Sequence, residues 1–325
     1  MNRDLKAAVI GASGIGKHHA KWFDRLGCSV EAIAGTSAES VAATGEALSE
    51  MFGFDGTGYP SVDEMLGADE YDIISVCSPE HLHYPHFLAA VAQGAHVMCE
   101  KPLVFSSWLS SCEMTAQARE MVEAAESAGI VAAVNTQYVA AVDAYRELMS
   151  DRGIDPGAPE SFFMQMESRG GPEGTDREQI FIDLGSHPLS VLMGFCGSGE
   201  MVADSASCVV EQKCVEVEFD YELEAGGVCH AHIVCRNRPE GELVRRFGIN
   251  EMLIDYEGRN DEEGVYRAYL THEGEETCAQ DFMEKSLECF VSAVRDDSRQ
   301  PLATVADGLQ NLQMQLTLLD IARPA

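Results

Sequence analysis

The sequence predicts an α/β protein: a doubly wound parallel domain, then a second α/β domain on a large, mostly antiparallel open sheet. Three observations predict it. Short apolar runs alternate with helical patterns through the first 134 residues, as parallel strands joined by crossover helices do. From Val202 to about Glu276 the chain changes to alternating apolar and polar runs separated by glycine and acidic turns, the pattern of half-buried antiparallel strands. A length of 325 residues also exceeds what one core usually serves. Domains are therefore expected over 1–134 and 135–303, with a C-terminal helix over 304–325 packing back towards the first.

In chain order, Ala7–Ile10 reads as strand one, followed by a glycine turn and a helix to about Leu26. Ser29–Ala34 reads as strand two, and a helix over Ala38–Glu50 follows. A turn at Tyr59-Pro60 precedes a short helix at Val62–Leu66, and Ile73–Cys77 is strand three. His83–Gln93 is helical, stopped by Gly94, and His96–Cys99 is strand four. Trp108–Ser127 has the period of a long amphipathic helix, ended by Gly129, and Val131–Val134 is strand five. After a helix near Asp143–Ser150, a Gly/Pro-rich link leads to a strand at Ser161–Glu167 and one helix over roughly Gln179–Phe195. Helices near Asp281–Arg295 and Thr304–Ala322 close the chain.

Composition excludes several functions. No apolar stretch reaches the ~20 residues a membrane-spanning helix needs. Fifty-four acids against 22 bases give a net charge of −32, which repels polyphosphate and anionic membranes, so neither nucleic acid nor membrane is an expected partner. Such a surface suits a salty cytoplasm, where screening relieves self-repulsion, although Glu (34) outnumbers Asp (20). Eleven cysteines without a CxxC pair read as buried thiols in a reducing compartment, and no metal site is expected. His230 and His232 read as a sheet-surface pair. The chain meets strand one without a secretory pattern, so a cytoplasmic location is expected.

Chemistry concentrates at strand ends. Gly11-Ala12-Ser13-Gly14-Ile15-Gly16 follows strand one and opens a helix, the context in which a glycine string cradles a pyrophosphate. Gly11 permits the tight turn, Gly16 close helix–strand packing, and the amides around Ser13, Gly14 and Ile15 point at phosphate oxygens. Strand two ends in Gly35-Thr36-Ser37. No acid stands there for the ribose 2′-hydroxyl of NAD, and hydroxyls suit a 2′-phosphate, so the cofactor is NAD or NADP with a lean to NADP. Cys77 ends strand three and Ser78, Pro79 and His83 follow it, while Glu100 and Lys101 follow strand four before a proline. Both groups lie at the carboxyl edge where open α/β sheets bind ligands, and all six are expected cofactor contacts. A lysine beside a cationic ring and an enclosed substrate can titrate low enough for acid–base work.

The run Gly11–His19, the block SPEHLHYPHFLAAVAQGAHVMCEKP and the later Asp183-Leu-Gly-Ser-His187-Pro188 resemble the Gfo/Idh/MocA family, which includes glucose–fructose oxidoreductase and inositol dehydrogenase. The resemblance covers nearly the whole chain. It implies a Rossmann domain, a second domain on an open sheet, and hydride transfer between NAD(P) and a secondary alcohol or ketone of a sugar or cyclitol. By motif, Lys101 matches the lysine that contacts substrate and nicotinamide, and Asp183 and His187 match the family's second catalytic motif, with His187 the proton carrier. Asp183 and His187 stand four apart on one expected helix and so share a face. Facing Lys101 across an interdomain cleft, they are expected to form a proton-handling cluster.

The chain also departs from the family pattern. Gln137 stands where an arginine is common, and Ser190 where an acid often follows the histidine–proline pair. Gln137, Tyr138, Arg169, Lys101, Asp183 and His187 are the expected substrate contacts; Arg169 lies in a polar glycine loop, Ser168–Arg177, that could close over substrate, and Arg169 and Arg177 are its candidates for an anion. Two further readings remain: reduction of a non-sugar C=O or C=N group, and a non-catalytic dinucleotide sensor on the same fold. Retention of Lys101, Asp183 and His187 favours catalysis. A large sheet with one uncovered face is expected to expose apolar surface and drive a homodimer or homotetramer.

Overall fold

The computed structural model describes residues 5–170 and 178–322. Residues through Asn135, with Ser286–Gln310, form one compact unit; Thr136–Lys285 and the chain from Asn311 form the other.

The first unit is built on six parallel strands: β1 (Lys6–Ile10), β2 (Ser29–Ala34), β3 (Thr57–Tyr59), β4 (Ile73–Val76), β5 (His96–Cys99) and β6 (Ala132–Val134), in the order β3-β2-β1-β4-β5-β6. Helices α1 (Gly16–Arg25), α2 (Ala38–Phe52), α3 (Val62–Ala68), α4 (His83–Ala92) and α5 (Ser111–Ala128) make the crossovers. The parallel sheet is doubly wound, as expected. Its central strands carry no polar alternation because they are buried: β4 and β6 at every residue, and β1 and β5 at all but the first. The order reverses beside β1, which puts a switch point between β1 and β4. Two local readings change. Thr57–Tyr59 is a short edge strand rather than only a turn. Helix α5 starts at Ser111, not Trp108, because Ser110 and Glu113 form a reciprocal capping box that fixes the start.

The second unit opens with a 3₁₀ turn, Gln137–Val139, and α6 (Ala140–Asp151). Its eight-stranded sheet comprises β7 (Ser161–Ser168), β8 (Gly199–Val210), β9 (Cys214–Leu223), β10 (Val228–Asn237), β11 (Arg245–Ile249), β12 (Met252–Asn260), β13 (Tyr266–His272) and β14 (Glu275–Ala279). The order is β14-β13-β12-β11-β7-β10-β9-β8, antiparallel except for the β7–β10 pair. Helices α7 (Gln179–Leu184) and α8 (Ser186–Cys196) pack on β7, β9 and β10. Val215, Val217, Phe219 and Tyr221 of β9 are fully buried beneath them, while the alternate Glu216, Glu218 and Glu222 are exposed.

That alternation corrects the expected apolar outer face. Charged pairs stand on it beside half-buried rings such as Phe163: His232 Nε2 lies 2.7 Å from Glu216 Oε1, and Arg246 makes two bonds to Asp255 at 2.7 and 2.9 Å. Exposed large apolar side chains such as Val209 and Val228 are scattered, so this face does not supply the apolar ground for self-association. The thiols also divide: all eleven are free, but only six are buried, and Cys112 and Cys278 are exposed.

Helices α9 (Phe282–Arg295) and α10 (Val305–Ala322) each change unit along their length. The division therefore runs differently from the expected 1–134, 135–303 and 304–325. Arg295 donates to the Gly27 carbonyl at 3.1 Å and Val134 N–H to that of Ala303 at 3.1 Å, which holds 286–310 to the parallel sheet. The rest of α10 does not return there. Asn311 Nδ2 donates to Ser186 O and Ser190 Oγ, and Gln315 Nε2 to Phe181 O, so it packs on α7 and α8. Among the described residues no helix is long and apolar enough to cross a membrane.

Candidate active site

In the first unit the expected dinucleotide contacts gather at one sheet edge. Gly11 follows β1, Thr36 and Ser37 follow β2, Cys77 and Ser78 follow β4, and Glu100 and Lys101 follow β5: four adjacent strands. Gly11 has φ +83°, and a Cβ there would meet Cys77 O at 2.5 Å. At Gly16 a Cβ would sit 2.6 Å from Gly11 O and 3.1 Å from Cys77 Cβ. Those two glycines serve the fold. Gly14 is different, with no atom within 4 Å of a built Cβ, and Ser13, Gly14 and Ile15 are exposed at the start of the ten-residue helix α1. This is the side of the loop that fits a pyrophosphate, through backbone amides and the positive helix end.

Thr36 and Ser37 are exposed, and Ser37 Oγ caps α2 by accepting from Ser40 N–H at 3.1 Å. Pro79 is exposed, whereas Ser78 is buried with its hydroxyl 2.9 Å from His86 Nδ1. His83 is corrected. It is 1% exposed, and its ring lies 2.8 Å from Ser78 O and 2.9 Å from Pro102 O. Both nitrogens face backbone carbonyls, so His83 ties the segment after β4 to the Glu100-Lys101-Pro102 segment and has none left for a cofactor.

The strongest polar feature beside Lys101 escaped the sequence reading. His19 of α1 is fully buried, with Nε2 2.9 Å from Glu100 Oε1 and Nδ1 2.8 Å from Ser75 Oγ. Asn135 Nδ2 donates to the same Glu100 oxygen at 2.6 Å, and Asn135 Oδ1 accepts from Ser286 Oγ at 3.0 Å. Burial opposes charge on both partners. For His19 the neighbouring Cys77 sulfur and Glu100 carboxylate outweigh it, and its pKa rises to about 10. For Glu100 the His19 hydrogen bond and charge, with Lys101 and Asn135, outweigh it, and the pKa falls to about 2. The two form a buried ion pair. Its only sequence signal was polar residues inside apolar runs, Ser75 within β4 and Asn135 directly after β6.

In the second unit His187 is buried on α8, its ring centroid 4.7 Å from that of Tyr138. Tyr138 meets Tyr256 at 5.5 Å and Phe282 at 5.9 Å, and Arg245 lies 5.7 Å over the Tyr256 ring. Burial pushes the Tyr138 phenol up, against the opposing charge of Arg245. Tyr256, Phe282 and Arg245 carried no motif and were missed. The expected single helix over 179–195 is two, because Pro188 has no N–H for the Leu184 carbonyl. Gly185 keeps helical angles (φ −61°, ψ −30°), so Asp183 and His187 remain one helical turn apart. Their surroundings differ: Asp183 is exposed and accepts from Gln179 Nε2 at 2.8 Å.

Ser190 is buried and bonded to Asn311, which makes it a structural hydroxyl. Gln137 is half-buried in the 3₁₀ turn. Arg169 is exposed and donates to Gly241 O at 2.5 Å, while Arg177 and most of its loop lie outside the described residues. On the outer sheet face, Glu216, Glu218 and His232 bring ligand atoms within 4.8 Å of one another. The hydrogen bond between His232 and Glu216 accounts for that grouping.

Residues 5–136 match the Gfo/Idh/MocA family, described as "Oxidoreductase family, NAD-binding Rossmann fold". Residues 5–136 thus belong to the NAD-binding fold of the Gfo/Idh/MocA oxidoreductases. Over 97% of its length the chain is 28% identical to 1,5-anhydro-D-fructose reductase of Ensifer adhaerens, covering 95% of that protein. It is 34% identical to D-glucoside 3-dehydrogenase of Escherichia coli (strain K12) over 43% of this chain, a match spanning 36% of that relative's length. Its fold is similar to that of UDP-N-acetylglucosamine 3-dehydrogenase from Acidithiobacillus ferrooxidans, with TM-score 0.72, 19% identity and 98% of each chain covered. The expected dinucleotide contacts thus lie at one sheet edge of the first unit, and the second unit holds the buried His187 against Tyr138.

Proposed function

We propose that this oxidoreductase moves a hydride between NAD(P) and a secondary alcohol or ketone of a sugar, cyclitol or related small molecule. The observation that carries the reading is the convergence of the glycine loop and the Glu100-Lys101-Pro102 segment at the ends of strands in one sheet. The names of the relatives, a glucoside dehydrogenase and an anhydrofructose reductase, support carbohydrate-like substrates over the other readings.

Backbone amides at Ser13, Gly14 and Ile15 would hold the pyrophosphate, and Thr36 and Ser37 the ribose side. When bound, the nicotinamide supplies or accepts the hydride. Lys101 Nζ donates to the substrate oxygen and stabilises it as it becomes an alkoxide. The His187 imidazole takes the hydroxyl proton in oxidation and returns it in reduction, and Tyr138 against its ring fixes the imidazole plane. Asp183, exposed one turn earlier, is the third member of the proton-handling set, and Gln137 and Arg169 are outer substrate contacts. Without a carboxylate among Gly35, Thr36 and Ser37, the ribose side favours NADP.

The test is a panel of sugars, cyclitols and their ketones with NAD(H) and NADP(H), followed at the reduced-nicotinamide absorbance. Turnover is expected on a carbohydrate-class substrate, with higher kcat/KM for NADP(H). Tight dinucleotide binding without turnover on any candidate would make the protein a sensor instead.

A further inference from the structure

Lys101 is held from both sides. Its own N–H donates to Glu100 Oε2 at 3.3 Å, and the next residue, Pro102, offers its carbonyl to His83 at 2.9 Å. The Glu100 carboxylate is therefore divided: Oε2 serves the lysine backbone, and Oε1 takes His19 Nε2 at 2.9 Å and Asn135 Nδ2 at 2.6 Å. Because both donors bond one oxygen, they lie only 3.1 Å apart. A charged imidazole donates at Nδ1 as well, to Ser75 Oγ, which leaves the Ser75 hydroxyl proton for Cys77 Sγ at 3.4 Å. Every group in this chain is buried, and Glu100 N–H is pinned to Val76 O at 2.9 Å. His19 lies on the helix that the glycine loop opens, Ser75 on β4, and Asn135 just beyond β6.

We propose that His19 and Asn135 are positioning residues for Lys101: by fixing the Glu100 carboxylate they fix the lysine's backbone, and His19 ties that lysine to the helix of the glycine loop. The inference rests on the proposed role of Lys101. A carboxylate with only its own backbone for a partner would be free to rotate about the Glu100 side chain. With two donors on Oε1 it has one orientation, and Oε2 has one place to receive the Lys101 amide. His19 and Asn135 are 0% and 1% exposed, so neither reaches substrate and their contribution passes through the lysine.

Glu100→Gln, His19→Gln and the paired His19→Gln/Glu100→Gln variant are to be made with Lys101 present and in a Lys101→Met background. The paired change removes both charges together and so avoids stranding one in the core. With lysine present, each is expected to lower kcat roughly 10–100-fold, the scale of a misplaced catalytic group, with dinucleotide affinity by fluorescence titration within about threefold. In the Lys101→Met background the same changes are expected to cost less than about threefold more, because the group they position is gone. A second readout needs no ligand. Amide exchange measured by mass spectrometry should quicken across residues 100–106 while α2 and α5 keep their protection. Equal losses in both backgrounds, unchanged kcat, or exchange quickened throughout the parallel sheet would each overturn the positioning role. If Lys101→Met alone turns over normally, it is the reading of Lys101 that fails, and this inference falls with it.

Discussion

Two buried histidines show how differently the two units use the same side chain. His19, in the parallel unit, is fully buried, its ring nitrogens on the Glu100 carboxylate and the Ser75 hydroxyl; against that burial, Cys77 and Glu100 raise its pKa to about 10. His187, in the antiparallel unit, is buried against aromatic rings, 4.7 Å from Tyr138. The sheets explain the contrast. A parallel sheet covered on both faces leaves its strand ends as the place for polar groups, and these must satisfy one another because water is excluded. A half-covered antiparallel sheet sends its charges to the outer face, as with Glu216 and Glu218, and packs its inner face with rings. Burial alone therefore does not say how a histidine is used. The partners do.

The comparison is most sharply tested by removing one group from each unit. Lys101→Met and His187→Asn should each lower turnover roughly 10²–10⁴-fold, the scale of lost acid–base help. Dinucleotide affinity should move far less, since the pyrophosphate is proposed to lie on backbone amides near Gly14. The combined variant should lose less than the product of the two, because both serve one proton transfer. Near-normal turnover of His187→Asn would leave His187 as ring packing and confine the chemistry to the parallel unit.

Within the glycine loop, Gly16→Ala and Gly14→Ala should separate fold from ligand. The Gly16 Cβ would press on Gly11 O and Cys77 Cβ, so urea unfolding should show a loss of about 1–3 kcal/mol. Gly14→Ala meets nothing within 4 Å and should change stability by less than about 0.5 kcal/mol while weakening dinucleotide binding. Unchanged affinity in Gly14→Ala would move the phosphate away from this side of the loop.

A smaller effect should distinguish the charged histidine by pH. His19 is raised from 6.5 to about 10, so its contribution is complete below pH 6.5 and is lost as pH rises through 10. Glu100 is lowered from 4.5 to about 2, so its contribution is complete above pH 4.5 and is lost as pH falls through 2. The stability difference between wild type and His19→Gln/Glu100→Gln should be level between pH 4.5 and 6.5 and change steadily in wild type's disfavour towards pH 10. A level difference across the whole range would show that the pair is neutral.

Much of this protein was legible in its sequence, for local reasons. Continuous apolar runs marked β1, β2, β4 and β5, and strand-to-helix junctions placed Gly11–Gly16 and Lys101 at one edge, because strand ends and glycine turns depend on neighbours in the chain. Alternation in β9 and β10 was equally readable. What escaped depends on residues far apart in sequence. Nothing near His19 announces that Glu100 lies 81 positions on and 2.9 Å away, or that Asn135 bonds the same oxygen. His83 looked like a ligand contact until both ring nitrogens were found facing backbone carbonyls. The α10 helix could have packed on either unit until Asn311 and Gln315 found the carbonyls of Ser186 and Phe181. The sequence by itself determined the strands, the glycine turn and the residues offered to a dinucleotide and a substrate. Only the tertiary structure decided which buried polar groups meet, because a hydrogen bond is made by distance in space and the chain's order does not record it.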